Sequence, residues 1–419
     1  MRLRIKDYTT KVGSGVTPRG GAETYLDKGI PLFRSQNVTN DGFLLEDIAY
    51  ISEEVDEIMK GTRVKPGDVL LNITGASIGR CFYTSKDFDR GNVNQHVCII
   101  RPKINVTLPS YLHYSLISDK GQEQINLRQT GANREGLSIE DIKGVSFDVP
   151  SISEQQRIVD YLDAKLGKID ARIAVLVKQQ DAYARLKRSV IHHAVTRGLN
   201  PNISLKDSGV EWIGMIPEHW ETKRIKDVVS DIFTGVSPVY EYENDNQNYV
   251  FGQRNNQEYG IDFEGIKYAK DDFFKTRLPK EFLKYGDVLL NTLGGGSVGR
   301  TGYYDIEDNI SVITDGHVMI IRSKTYNTRY MYYYLCSRKE RLEMMAIGST
   351  NQAFFNISDI RLISLPMPSL EEQQVITAYL DEKCSKIDAA TENIGKQIDA
   401  LKRLKRALIN EVVTGQRAV

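Results

Sequence analysis

Two stretches of this chain place apolar residues at alternating spacings of four and three. In the first, Leu162, Leu166, Ile169, Ile173, Leu176 and Tyr183 form the series, with Gln180 as a polar interruption. In the second, Leu380, Cys384, Ile387, Ile394, Ile398 and Leu401 form it, with Thr391 as the weak position. That period is a heptad seam and predicts two long helices able to pair as a coiled coil. Each stretch opens on Pro-Ser with a glutamate three residues after the serine (Ser151 and Glu154, Ser369 and Glu372), the signature of a capping box. About 40 residues of helix would make a rod of roughly 60 Å. Elsewhere, "GDVLLN" at 67–72 and again at 286–291 carries a short unbroken apolar run that reads as a buried strand. A turn rich in glycine and small polar residues follows each copy.

The two helical stretches are one sequence spelled twice. Aligning Pro150 with Pro368 matches 25 of 47 positions over 150–196, several-fold above chance. Weaker islands continue the repeat: "SGVTP" (14–18) with "TGVSP" (234–238), "ITGASIGR" (73–80) with "TLGGGSVGR" (292–300), and "HVCIIR" (96–101) with "HVMIIR" (317–322). A duplicated unit with short loop insertions explains them. The predicted organisation is a globular domain at 1–149, a helix at 150–197, a linker and second globular domain at 198–367, and a second helix at 368–419. The fold class is mixed α+β, within α/β. Two like units in one chain commonly pair about a pseudo-two-fold axis, which predicts antiparallel helices with a head at each end. The linker holds both tryptophans, Trp212 and Trp220, which are expected to pin it onto the second head. The "RLKR" clusters at 185–188 and 403–406 could touch nucleic acid or a partner; solvated helix surface is the simpler expectation.

At 419 residues the chain exceeds one ordinary core, and its 41% apolar and 26% charged residues are those of a water-soluble globular protein. It has no apolar run of membrane-spanning length, and "MRLRIKDYTT" lacks the apolar region of a secretory signal. Four widely spaced cysteines suit a reducing compartment, so the expected location is cytoplasmic. With 55 basic and 55 acidic residues, any grip on phosphates must come from local patches. No phosphate-binding loop, nucleophile elbow or metal-spaced histidine set is present. The chain therefore reads as non-catalytic, with no cofactor or metal of its own.

Polar loops beside the strands supply candidates for DNA binding. "LFRSQNV" offers Arg34, Gln36 and Asn37, and "VFGQRNN" offers Gln253, Arg254, Asn255 and Asn256. The glycine turns offer Asn72, Thr74, Ser77 and Arg80 in one copy, and Asn291, Thr292, Ser297 and Arg300 in the other. "GANREG" and "STNQAF" add Asn133, Arg134, Asn351 and Gln352. Arginine, asparagine and glutamine can pair bidentately with purine edges in the major groove, and glycines allow close backbone approach.

On the two "PS-EQQ-YLD-K-KID" helix starts, the "GDVLLN" strands and the "GVEWIGMIPEHWE" segment (209–221), the chain resembles the DNA-specificity subunit of a type I restriction–modification system. The resemblance spans essentially all of it; the first head lacks the tryptophan-bearing lead-in. It implies two target recognition domains, each reading half of a bipartite double-stranded DNA sequence, and helices that set the unread gap. It also implies that two methyltransferase subunits dock on the helices, with Gln155, Gln156, Tyr161, Gln373, Gln374 and Tyr379 as candidate contacts. Those partners would use S-adenosylmethionine to methylate adenines, and motor/endonuclease subunits would use ATP and magnesium. The rival reading is a coiled-coil scaffold without DNA readout, which would show no salt-dependent DNA affinity.

Overall fold

The two heptad stretches form continuous helices, Ile152–Arg197 and Leu370–Val413. The computed structural model describes residues 1–129, 136–238, 240–241, 248–258, 260–307, 310–346 and 354–419. Every residue of both predicted seams is buried or half-buried. The chain divides into two compact units, Met1–Val177 with Gly395–Val419, and Lys178–Ile394. Each unit thus holds one head, the start of one long helix and the end of the other.

Within unit 1 the helices run antiparallel. Leu162 and Leu166 pack with Leu408, Ile409 and Val412. Lys405 Nζ donates to both carboxylate oxygens of Asp170 at 2.9 and 3.0 Å, and to Asp41 in the head at 2.6 Å. Within unit 2, Lys187 Nζ donates to both oxygens of Asp388 at 2.6 and 2.7 Å, and Ile191 and Val195 share a core with Ile376 and Leu380. Lys187 and Lys405 hold the same place in the repeated "RLKR", as Asp170 and Asp388 do in the repeated "KID". One ion pair is therefore built twice.

This corrects the expectation of solvated "RLKR" clusters: their arginines and leucines are exposed, but Lys187 is 5% exposed. A lysine can lay its methylene stem along an apolar seam while its ammonium meets a carboxylate. The polar interruption has a partner too. Gln180 Nε2 donates to the carbonyl of Thr391 at 3.5 Å. The repeat equivalents of this pair in unit 1 are Ile398 and Ile173. A polar step of this kind fixes helix register where apolar layers would tolerate sliding.

Each head is built on a four-stranded antiparallel sheet. In unit 1 the order is Thr9–Ser14, Val97–Pro102, Val69–Asn72, Cys81–Tyr83; in unit 2 it is Asp231–Thr234, Val318–Arg322, Asp287–Asn291, Thr301–Tyr304. The registers match, Leu71 opposite Cys98 and Leu290 opposite Met319. The unbroken apolar run follows from burial on both faces. Val69 and Leu71 enter a core with Leu112 and Leu116, while Leu70 enters another with Phe33 and Val38. Val288 and Leu290 separate from Leu289 in the same way. A smaller mixed sheet lies in each head: Ala49–Ile51, Ile30–Phe33, Asn92–Val93 in one, and Tyr240–Glu241, Lys267–Ala269, Asn248–Phe251, Ser311–Thr314 in the other.

The repeated motifs also conceal a buried ion pair. Arg101 binds Asp68 through Nε and Nη2 at 2.7 and 2.8 Å, and Arg322 binds Asp287 at 2.6 and 2.7 Å. These join the aspartate of "GDVLLN" to the arginine that ends "HVCIIR" or "HVMIIR".

Heads are fastened to helices by repeated contacts. Gln155 Oε1 accepts from the Leu108 amide, and its Nε2 donates to the Val106 and Pro150 carbonyls, all at 2.9 Å. Gln373 does the same to Asn327 N and Pro368 O. Tyr114 and Tyr333 donate to Asp163 and Asp381 at 2.5 Å. Trp220 is fully buried in the unit 2 core and donates through Nε1 to Glu372 at 2.9 Å. The half-buried Trp212 packs against the same core, so both tryptophans do pin the linker to the second head.

His113 lies buried among Phe82, Tyr83 and Tyr114, its Nδ1 3.6 Å from Cys81 Sγ. Burial pushes its pKa down to about 3. In the unfolded chain it takes a proton near pH 6.5. Stability from this site is therefore complete above pH 6.5 and is lost as pH falls from there toward 3, at up to about 1.4 kcal/mol per pH unit. Replacing His113 with leucine is expected to flatten that slope in urea melts of unit 1 between pH 7 and 5; an unchanged slope would place the titration elsewhere.

Candidate nucleic-acid interface

The loops singled out by sequence converge on the end of the central strand of each head. In unit 1 the buried Asn72 donates through Nδ2 to the carbonyls of Ser35 at 2.7 Å and Val38 at 3.2 Å. Its backbone bonds Arg80 and Gly79, closing the glycine turn. Ile73 bonds the His96 carbonyl at 3.0 Å and receives the Leu137 amide. In unit 2 the buried Asn291 donates to the Gln253 carbonyl at 3.1 Å, and its Oδ1 accepts from Asn256 Nδ2 at 2.9 Å. Thr292 bonds His317 O and receives the amide of Phe355. Two heads of different sequence thus gather the same four segments around one asparagine.

The candidate residues divide by what they do there. Asn37 and Asn255 are buried and brace their own loops. Asn37 accepts from Arg34 N at 3.1 Å and donates to Leu44 O, and Asn255 accepts from Gly252 N and donates to Asp262 O. Asn72, Asn256, Asn291 and Thr292 are also buried. These six side chains do not reach the surface in this conformation; each bonds a neighbouring backbone carbonyl. Small polar side chains that bond neighbouring backbone are common in tight turns.

Gln36, Arg80 and Arg254 are exposed; Arg34, Thr74, Ser77, Gln253, Ser297 and Arg300 are half-buried. Arg34 donates to Asp47 O at 2.6 Å and lies 5.6 Å over the Tyr25 ring. Arg300 reaches Gln257 Oε1 at 3.1 Å, and Ser297 reaches Gln253 Oε1 at 3.3 Å. Asn133, Arg134, Asn351 and Gln352 lie outside the described residues. Among the described residues, buried side-chain polar atoms without a protein partner include Arg34 Nε, Asn72 Oδ1, Gln253 Nε2, Asn256 Oδ1 and Arg300 Nε, all at these strand ends. Buried polar atoms are ordinarily paired, so such a concentration marks these ends as unusual.

The sequence reading missed the turns at 94–96 and 315–317. Asn94 and Asp315 each hold the turn by accepting the His96 or His317 amide, at 3.1 and 2.9 Å. Burial raises the Asp315 carboxyl above its ordinary pKa, and the hydrogen bond from the His317 amide works against that. The "SGVTP" and "TGVSP" motifs lie alongside. A Cβ on Gly15 would sit 1.9 Å from the Val93 carbonyl oxygen, and one on Gly235 2.0 Å from that of Thr314. The repeat of those motifs was the available signal; the glycine is needed because two backbones touch there.

On the helices, Gln155 and Gln373 are buried in the fastenings described above, while Gln156 and Gln374 are exposed and Tyr161 and Tyr379 half-buried. Lys165 and Lys383, repeat equivalents, each place Nζ 5.6 Å from the ring of Tyr161 or Tyr379. Among the described residues no cluster of three His, Cys, Asp or Glu is arranged to hold a metal ion. Among the described residues, no helix is long and apolar enough to cross a membrane.

The profile of the type I restriction modification DNA specificity domain matches residues 4–175 and again 217–403. The type I restriction enzyme MjaVIII specificity subunit of Methanocaldococcus jannaschii is 25% identical over 99% of this chain and 92% of its own length. A chain from a structural study of complex assembly and conformational transition of the type I R-M system superposes with a TM-score of 0.74 at 18% identity, covering 100% of this chain and 98% of that one. The HsdS subunit from Thermoanaerobacter tengcongensis gives 0.50 at 17% identity, covering 100% and 97%. With two copies of the matched domain, each closing on a long helix, this chain belongs to the type I restriction–modification DNA specificity family.

Proposed function

We propose that this chain is the non-catalytic addressing subunit of a type I restriction–modification complex, each head reading one half of a bipartite DNA target. The observation that carries the reading is the paired construction of the strand ends. Their buried frame repeats (Asn37 with Asn255, Asn72 with Asn291), while the exposed residue on that frame changes, Gln36 in one head and Arg254 in the other. A shared frame with differing tips suits two readers of different half-sites. The base-reading residues are proposed to be Gln36, Arg80 and Arg254 with the half-buried Arg34, Thr74, Ser77, Gln253, Ser297 and Arg300. Asn133, Arg134, Asn351 and Gln352 are kept as proposals from sequence.

The domain division proposed from the repeat is 1–149, 150–197, 198–367 and 368–419. The helices are proposed to set the gap and to dock two methyltransferase subunits. The repeated Gln156–Tyr161–Lys165 and Gln374–Tyr379–Lys383 surfaces support docking of identical partners. S-adenosylmethionine, ATP and magnesium would serve those methyltransferase and motor/endonuclease subunits, in the cytoplasm.

The test is to map methylated adenines in a host carrying the modification subunits, with and without this chain. The expected result is one split motif that depends on the chain. Exchanging residues 1–149 for another recognition head should then change one half-site only. A change in both half-sites would overturn modular readout. DNA affinity that does not weaken as salt rises would favour the scaffold reading.

A further inference from the structure

Resting on that reading, the geometry points to Gln95, outside every loop first singled out, as a specificity-determining residue that reads an A·T pair in the head 1 half-site. The two heads share the backbone hydrogen bonds on either side of this position. Asn94 N bonds Phe33 O at 3.1 Å where Asp315 N bonds Phe251 O at 3.0 Å. Val97 N bonds Asn94 O at 3.2 Å where Val318 N bonds Asp315 O at 3.3 Å. On this common turn the middle residue is Gln95 in one head and Gly316 in the other. Their neighbours differ too: Thr17 stands where Ser237 does, and Thr74 where Leu293 does. The fold leaves this site unchanged while its chemistry varies, as a site that distinguishes two sequences must.

The Gln95 side chain is exposed yet held. Its Oε1 accepts from the Thr17 hydroxyl, and its Nε2 donates to His96 Nε2 at 2.9 Å. His96 Nδ1 lies 2.7 Å from Thr74 Oγ1, so the ring is fixed from its far side. A carboxamide has two N–H donors and two lone pairs on oxygen. With one of each engaged by Thr17 and His96, one donor and one acceptor remain side by side. That is the pattern complementary to N7 and N6–H of adenine in the major groove. Pre-orientation from both flanks removes the rotamer entropy that a free glutamine would lose on binding. In head 2 the same position carries no side chain, and Ser237 Oγ instead accepts the Gly316 amide at 3.1 Å.

The experiment is the methylation map with Gln95→Gly, which installs the residue that the second head carries on the same turn, and separately with Thr17→Val. Gln95→Gly is expected to relax one A·T position of the head 1 half-site, roughly 10- to 100-fold in discrimination, leaving the gap and the other half-site unchanged. Thr17→Val should relax the same position by less. An unaltered motif in Gln95→Gly would overturn the assignment. If modification disappears while circular dichroism shows an intact fold, competition between duplexes substituted at each head 1 position decides the matter. Loss confined to discrimination at one A·T pair upholds the assignment, and equal loss for every duplex overturns it. A wild-type chain that directs no methylation would instead overturn the functional reading beneath it.

Discussion

Replacing Arg101 with leucine is expected to destabilise unit 1 by about 3–5 kcal/mol, the cost of stranding a buried carboxylate without its cation. Asp68 is fully buried, and Arg101 meets it through two parallel hydrogen bonds. The Lys65 amide still donates to Asp68 Oδ2 at 2.7 Å, which tempers the loss without neutralising the charge. Asp68→Asn keeps an acceptor and removes the charge, so it should cost less than half as much. Combining Arg101→Leu with Asp68→Leu should recover part of the single-mutant loss. In unit 2, Arg322→Leu is the same experiment with a pH dependence. Burial already raises the Asp287 carboxyl, and Arg322 opposes that rise. Without Arg322 the folded state holds the proton more tightly still, so the destabilisation should be smaller at pH 5 than at pH 8. Hydrogen exchange read by mass spectrometry would check both. Protection should fall in the sheet of the altered head; loss spread equally over both heads would show that the pair does not act within its own unit.

Gln155→Ala should cost unit 1 about 2–4 kcal/mol, because two carbonyls and an amide would lose their partner at the head–helix joint. The neighbouring Gln156 is exposed, so Gln156→Ala should change stability by no more than about 0.5 kcal/mol. The two adjacent glutamines then separate the two roles a repeated surface motif can have. Gln373→Ala should reproduce the first result in unit 2, where the Asn327 amide and Pro368 carbonyl lose their partner. Thermal melts with exchange data for residues 106–108 and 150–155 would measure it. A melting point for Gln155→Ala equal to that of Gln156→Ala would mean that the joint is held by other contacts, such as Tyr114 with Asp163.

Much of the architecture was legible because it is written in periodicity. A seam of four-and-three spacing buries one stripe whatever the partner, and every residue of both predicted seams is buried or half-buried. The unbroken "DVLLN" run announces a strand covered on both faces, which Val69 and Leu70 confirm by entering different cores. The loops around Asn72 and Asn291 could be named as polar segments, but their roles could not. An asparagine in a loop has the same letter whether it faces a base or braces a carbonyl. Asn37, Asn72, Asn255, Asn256 and Asn291 are buried and bonded to backbone carbonyls. Gln95 escaped notice because nothing in its own neighbourhood marks it; it gains meaning only beside Thr17 and His96.

The sequence by itself determined the duplication, the two long helices, the strand at the centre of each head and the family, since each rests on identities or spacings along one chain. Only the tertiary structure decided which polar residues remain at the surface. It also decided that the lysine of each "RLKR" crosses the seam to the aspartate of the other repeat's "KID". Those outcomes depend on distances between segments far apart in sequence, where a few ångströms separate an ion pair from a solvated charge. Periodicity reports which face of an element is covered; it carries no record of what covers it.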